Sequence, residues 1–274
     1  MTRRRGFTLA EIMIAMILLG LVGVGITRLL MSQTRFFARA TGARDARSVA
    51  RNALNIVRDE MRMIEPRGIM SATTTSISVR VPYAVGVYCS NNTATFVPVD
   101  SLIYAQAHYR GYAYRDTALN ASYTYVPMGA GSPPATGTLT NCTVGPGITP
   151  ITGGLTLDLS PAFPALAPGS PVFLFQRTTY SLAPSTLVPG RTALWRSVIN
   201  GTPEEIAVPF QNTAIFRFYV NGSTTSQAAV PGTLNTITGI ELVLVGESER
   251  NSPGTEVPET RPVRLSIFFR NAVF

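Results

Sequence analysis

The 274-residue chain is 45 % hydrophobic and only 14 % charged, with a formal net charge of +8. The length suffices for one large domain or two modest ones, and the composition excludes a wholly disordered chain, whose signature is low hydrophobicity with high charge. All 23 basic residues are arginine, and one histidine (His108) with two cysteines (Cys89, Cys142) leaves almost no material for zinc clusters or His-dependent triads.

Arg3, Arg4 and Arg5 precede an apolar stretch from Phe7 to Ile26, interrupted only by Thr8 and Glu11. Twenty helical residues span ~30 Å, the hydrocarbon thickness of a bilayer. The leading arginines favour a cytoplasmic N-terminus with the remainder exported. A secretory signal peptide is the competing account, but its apolar core runs about 7–15 residues and ends at a small-residue cleavage site; a buried core helix fits the length and the triple arginine less well still. An acidic side chain at the bilayer centre costs on the order of 2.5–3.5 kcal/mol, so Glu11 is either a functional charge awaiting a partner or a helix-terminal residue at the headgroups, favoured by the helix dipole.

The run Arg3-Arg-Arg-Gly6-Phe7-Thr8-Leu9-Ala10-Glu11, leading directly into Ile12-Met-Ile-Ala-Met-Ile-Leu-Leu-Gly20, resembles the class III leader of type IV prepilins and pseudopilins. The resemblance implies cleavage after Gly6 by a membrane-embedded prepilin peptidase, N-methylation of Phe7, and an assembly role for Glu11, whose carboxylate pairs with the Phe7 ammonium of a neighbouring subunit. Leaving a buried charge unpaired is strongly unfavourable, so such pairing would set the register of filament growth. Where many major pilins carry a helix-melting proline this chain has Arg28, a departure that fits a minor pilin or pseudopilin. Gly20, Gly23 and Gly25 allow local melting or close helix packing, or are ordinary membrane-helix glycines.

Beyond the span, Ala46, Val49, Ala50, Ala53, Leu54, Val57, Met61 and Ile64 recur at three- and four-residue steps, one apolar helical face. Pro66 and Gly68 end the pattern, predicting a helix from Phe7 to Glu65. Residues 28–67 carry nine arginines against four acids (Asp45, Asp59, Glu60, Glu65). This basic stem reads first as a solvated face with local pairs, Arg58 and Arg62 beside Asp59 and Glu60. A neighbouring pilin is the next candidate, and nucleic acid the weaker one.

After Pro66 the composition turns to Ser, Thr, Gly, Pro, Tyr and Val, and strand-like runs are expected at Ile77–Val81, Val85–Cys89, Thr95–Val99, Leu102–Tyr104 and Val172–Phe175. Gly129 to Pro171 is loop-rich. In the last third, Ala214–Val220 alternates, Asn221-Gly222 offers a turn, and Ile237–Val245 and Val263–Phe269 follow as a terminal antiparallel sheet, with Val263, Leu265, Ile267 and Phe269 on one face. The fold class expected is therefore α+β and pilin-like: leader 1–6, transmembrane or filament-core helix 7–27, amphipathic stem 28–65, and exported β-rich head 66–274. The order of Leu194-Trp195-Arg196 before a strand, Phe216-Arg-Phe-Tyr219, Ile240–Leu244 and Arg270-Asn271 resembles PilW-type minor pilins and the J-type pseudopilins of type II secretion, most over 190–274.

Two cysteines in an exported region favour one Cys89–Cys142 disulfide, worth up to ~4 kcal/mol under the chain-entropy model; two unpaired buried thiols are the alternative. His108 lies among aromatics and reads as a surface or core residue rather than a ligand. Tyr104, Tyr109, Arg110, Tyr112, Tyr114 and Arg115 would suit stacking on bases or sugars, but a core strand with solvated arginines is the preferred account. Glu247, Glu249, Glu256 and Glu259 lack EF-hand spacing and read as a solvated acidic loop rather than a calcium site. Asn200-Gly-Thr202 fits eukaryotic glycosylation rules, which carry little weight behind a bacterial leader. No phosphate loop, nucleophile elbow or metal quartet is present, so neither an enzyme nor a cofactor is expected. The resemblance implies a bacterial inner-membrane protein, head exported, that primes or caps a type IV pilus or type II secretion pseudopilus. Its implied partners are the prepilin peptidase, membrane lipid, sister minor pilins, the major pilin, the inner-membrane assembly platform and, indirectly, the assembly ATPase. The alternative is a pilus-tip adhesin or DNA-uptake receptor.

Overall fold

The computed structural model describes residues 8–64, 67–89, 92–97, 109–115, 123–127, 155–159, 166–199, 201–253, 255 and 257–269. Among the described residues, one long α-helix and one sheet make up the architecture, an α+β arrangement. Helix α1 runs from Leu9 to Met61, 53 residues and therefore ~80 Å. It starts two residues later than expected because Thr8, in extended conformation, is its N-cap. It ends short of Glu65 because the chain tightens into i→i+3 bonds, Met63 N–H to Glu60 O at 3.1 Å and Ile64 N–H to Met61 O at 3.3 Å, and then enters the left-handed region at Arg67.

The helix has two environments. No residue from Thr8 to Thr41 is covered. From Gly42 onward it lies on the sheet, burying Ala46, Ala50, Ala53, Leu54, Val57 and Met61. These are residues that the three- and four-residue spacing marked; Ile64 is buried with them and Val49 packs at the margin.

The strands are β1 (Ile69–Ala72), β2 (Ser76–Tyr88), β3 (Thr93–Phe96), β4 (Tyr109–Arg115), β5 (Tyr123–Pro127), β6 (Leu155–Asp158), β7 (Pro171–Pro184), β8 (Thr192–Val198), β9 (Glu204–Phe210), β10 (Ile215–Val220), β11 (Ile237–Asn251) and β12 (Pro258–Phe268). They form one sheet in the order β10-β11-β9-β8-β7-β2-β3-β6, with β1 on β2, β12 on β11, and β4 joining β7 to β5. The pairings between these strands are antiparallel.

Three differences from the expected strands have physical causes. Ile77–Val81 and Val85–Cys89 are one strand, β2: Pro82 removes a ladder donor, and the register to β7 slips between Pro82 and Ala84 without breaking the pairing. Leu194-Trp195-Arg196 lies within β8 rather than before it. Inside the expected loop region, Leu155–Asp158 forms β6, which pairs with β3. The expected strand Leu102–Tyr104 lies outside the described residues, as does most of the loop-rich stretch.

The terminal sheet follows the sequence closely. Asn221 and Gly222 both have positive φ (51° and 73°), as a type I′ turn demands, and Ser223 N–H closes it on Val220 O at 3.0 Å. Val263, Leu265, Ile267 and Phe269 share the face toward the main core. That core lies between α1 and β9, β11 and β12, continuing over β10, β1 and parts of β2, β7 and β8. A second cluster, built on Phe96, Tyr112, Tyr114, Leu157, Val172 and Leu174, fills the far half of the sheet, beyond the reach of α1.

Candidate functional site

The chemistry singled out in the sequence converges on α1. At its start, Thr8 and Glu11 form a reciprocal cap: Thr8 N–H donates to Glu11 Oε2 at 2.9 Å, the Thr8 hydroxyl approaches the same oxygen at 3.1 Å, and Glu11 N–H donates to Thr8 Oγ1 at 3.3 Å. Two of the orphan helix N–H groups are satisfied, and a carboxylate stands at the positive end of the helix dipole. The helix-terminal account of Glu11 therefore describes the single chain. The cap partner, Thr8, was legible as the Thr-x-x-Glu signature but was not assigned from the sequence. Arg3, Arg4, Arg5, Gly6 and Phe7 lie outside the described residues.

The segment after the cap is apolar and bare, with Leu9 at 78 % and Leu19 at 76 % exposure. Its most apolar window has a mean hydropathy of 2.5, and the helix is long and apolar enough to cross a membrane. Gly20, Gly23 and Gly25 have open space around them, and the helix passes through Arg28 without a break.

At the other end the helix is pinned to the sheet by charge. Arg196 of β8 reaches Glu60 Oε1 from both Nε (2.9 Å) and a terminal nitrogen (2.8 Å), while the Tyr180 hydroxyl of β7 donates to Glu60 Oε2. Burial, then the Glu60 charge, pushes the Tyr180 phenol up, so it stays protonated as the donor. Burial pulls the Arg196 guanidinium down, but its hydrogen bond and charge pairing with Glu60 outweigh that and raise it. Glu60 is thus spent on the head rather than on a helical neighbour. Of the intrahelical pairs expected in the stem, Arg58–Asp59 at 3.5 Å is present.

Other candidates are placed differently from the sequence expectation. Glu247 is not in a solvated loop: it is buried in β11 and paired with Arg191 at 3.1 Å. Glu259 accepts from Ser252 Oγ at 2.6 Å, Glu249 is exposed, and Glu256 lies outside the described residues. Among the described residues no cluster of three His, Cys, Asp or Glu stands ready for a metal ion. Tyr112 and Tyr114 are core residues, as the preferred account held, but Arg110 is buried beside them rather than solvated. Burial, aided by Tyr114 and Tyr88, pushes the Tyr112 phenol up to about 12. With both rings in the second core, neither is displayed for stacking. Tyr104, His108, Asn200, Arg270 and Asn271 lie outside the described residues. Cys89 is fully buried with Sγ 3.3 Å from Thr95 Oγ1, and among the described residues no cysteine is free; Cys142 lies outside them.

Cap, bare apolar half and head-bound half together define a class: an α+β protein whose single long helix carries both a membrane-compatible segment and the stem of its head. Residues 1–27 match the family model of the prokaryotic N-terminal methylation motif, which supports a type IV prepilin-like family for this chain. No curated protein and no solved structure matches it.

Proposed function

We propose that this protein is a minor pilin or pseudopilin, a structural subunit rather than an enzyme, that initiates or caps assembly of a type IV pilus or type II secretion pseudopilus. The prepilin peptidase cleaves between Gly6 and Phe7 and methylates the new Phe7 amine. The span holds the subunit in the inner membrane with its head exported, and Glu11 then pairs with the N-terminal ammonium of a neighbour while sister pilins cover the bare helix. One observation carries this: the methylation motif over residues 1–27 overlaps the uncovered apolar start of a helix, Leu9–Met61, whose far half packs on the head. The unbroken passage through Arg28 supports a minor rather than a bulk subunit.

Mass analysis of the N-terminal peptide from the native host tests the proposal. The expected product begins with N-methyl-Phe7, six residues having been removed, and is recovered with sheared filaments or an assembled pseudopilus. An intact Met1, or cleavage beyond the apolar stretch, would overturn it.

A further inference from the structure

A basic groove flanks the stem where it runs beside β12 of the head. Arg44, Arg47 and Arg51 of α1 and Arg261 of β12 converge on it, joined by the amide side chains of Asn52 and Asn55, and it encloses about 550 Å³. No carboxylate lines it, and among the described residues none of the four arginines is in an ion pair. Four guanidinium groups gathered from two separate elements repel one another unless an anion stands between them.

We propose that this groove receives the acidic face of a different subunit, one that stands beside this stem on an apolar helix of its own; the inference rests on the assembly reading above. Two alternatives are excluded by charge and distance. A second copy of this chain in a face-to-face contact would bring its own four guanidiniums and be repelled, and each copy stays basic, its net charge of +8 falling only by the three leader arginines on processing. The subunit's own bilayer is out of reach. Arg44 lies 16 residues, ~24 Å along the helix, beyond Arg28 at the end of the apolar stretch, whereas a headgroup layer is about 5–8 Å deep and the Debye length about 8 Å. Carboxylates on a neighbouring stem would reach the groove directly, since in the assembly reading above a neighbour's helix stands alongside this one.

The test uses the full-length chain in its host, with a photo-crosslinking amino acid in place of exposed Ser48, which lines the groove. The expected adduct is to a non-identical protein carrying the same N-terminal methylation motif, at an Asp- or Glu-bearing segment. In the variant Arg44→Gln, Arg47→Gln, Arg51→Gln the adduct should fall about tenfold, with processing of the leader unchanged, since glutamine preserves an exposed helix. Adducts to such subunits that ignore the three substitutions overturn the groove's role and leave the assembly reading standing; the absence of any motif-bearing partner overturns both. Adducts only to copies of this chain or to lipid overturn the inference. So does salt-sensitive retention of a duplex oligonucleotide by the full-length protein that the triple variant loses, which would assign the groove to phosphate.

Discussion

The Thr8 hydroxyl and the Glu11 carboxylate hold each other, so Glu11 has two separable properties: it caps the helix and it carries a charge. Glutamine keeps the cap and removes the charge. Glu11→Gln should therefore insert and be processed normally yet fail to dock, because leaving a neighbour's ammonium unpaired in a low-dielectric setting costs about 3–5 kcal/mol, two to three and a half decades in the docking equilibrium. Recovery of Glu11→Gln and Glu11→Ala in sheared filaments measures this; if Gln assembles and Ala does not, the cap and not the charge is what assembly needs. At the far end of the helix, Glu60→Gln replaces the charged acceptor shared by Arg196 and Tyr180. The site is only partly buried, so the cost is about 1–3 kcal/mol, read as a lower midpoint of chemical denaturation of the head.

A third carboxylate reports pH. Burial raises Glu205, but hydrogen bonds from Ser185, Thr186 and Leu187 outweigh it and hold the group below its ordinary value of 4.5. A depressed folded value means that its contribution is complete above that ordinary value and is lost as pH falls through the depressed one. Protection of the Thr186 and Leu187 amides against exchange, taken relative to the intrinsic rate at each pH, should fall below about pH 4.5, and Glu205→Gln should flatten the dependence.

At the scale of elements, the closest approach between stem and sheet is made by absent side chains. A Cβ on Gly246 of β11 would stand 2.2 Å from Ala46 O and 3.3 Å from Ala50 Cβ, and one on Gly42 would meet Ser248 Cβ at 3.3 Å. Backbone, not a flexible side chain, is what the first would strike, so α1 must move away. Gly246→Ala should cost about 1–3 kcal/mol, and Gly246→Val more, as a fall in the head's thermal midpoint. The small residues Ala46, Ala50 and Ala53 were legible as an apolar helical stripe. Their mate on β11 was not, because a strand glycine in a sequence does not announce what presses against it. The same limit applied to β2, which the sequence divides between Val81 and Val85; its neighbour β7 pairs with it on both sides of Pro82 and holds the strand together.

Across the whole molecule, α1 packs on the main core, while the described residues of the distal cluster come from strands and the segments beside them; Cys89 lies at that end of β2, buried beside Thr95. If Cys89 and Cys142 are bridged, as the exported location implies, labelling of the denatured, non-reduced protein should find no free thiol, and reduction should loosen the distal core before the stem-packed one. Two labelled cysteines would refute the bridge.

What the sequence determined by itself is local and periodic: a twenty-residue apolar run, a basic leader ending in glycine, a 3.6-residue stripe from Ala46 to Ile64, the Asn221-Gly222 turn and the alternation of Val263 to Phe269. Each depends on neighbours within a few positions, and the structure repeats those that fall on described residues. What only the tertiary structure decided is where charges and small residues meet across long separations. Glu60 turns from its helix to Arg196, 136 residues away, Glu247 is buried against Arg191, and Arg261 joins three stem arginines in one groove. Nothing in the spacing of those residues sets these distances; they follow from which face of an 80 Å helix a twelve-stranded sheet covers, and burial of the shared apolar core settles that.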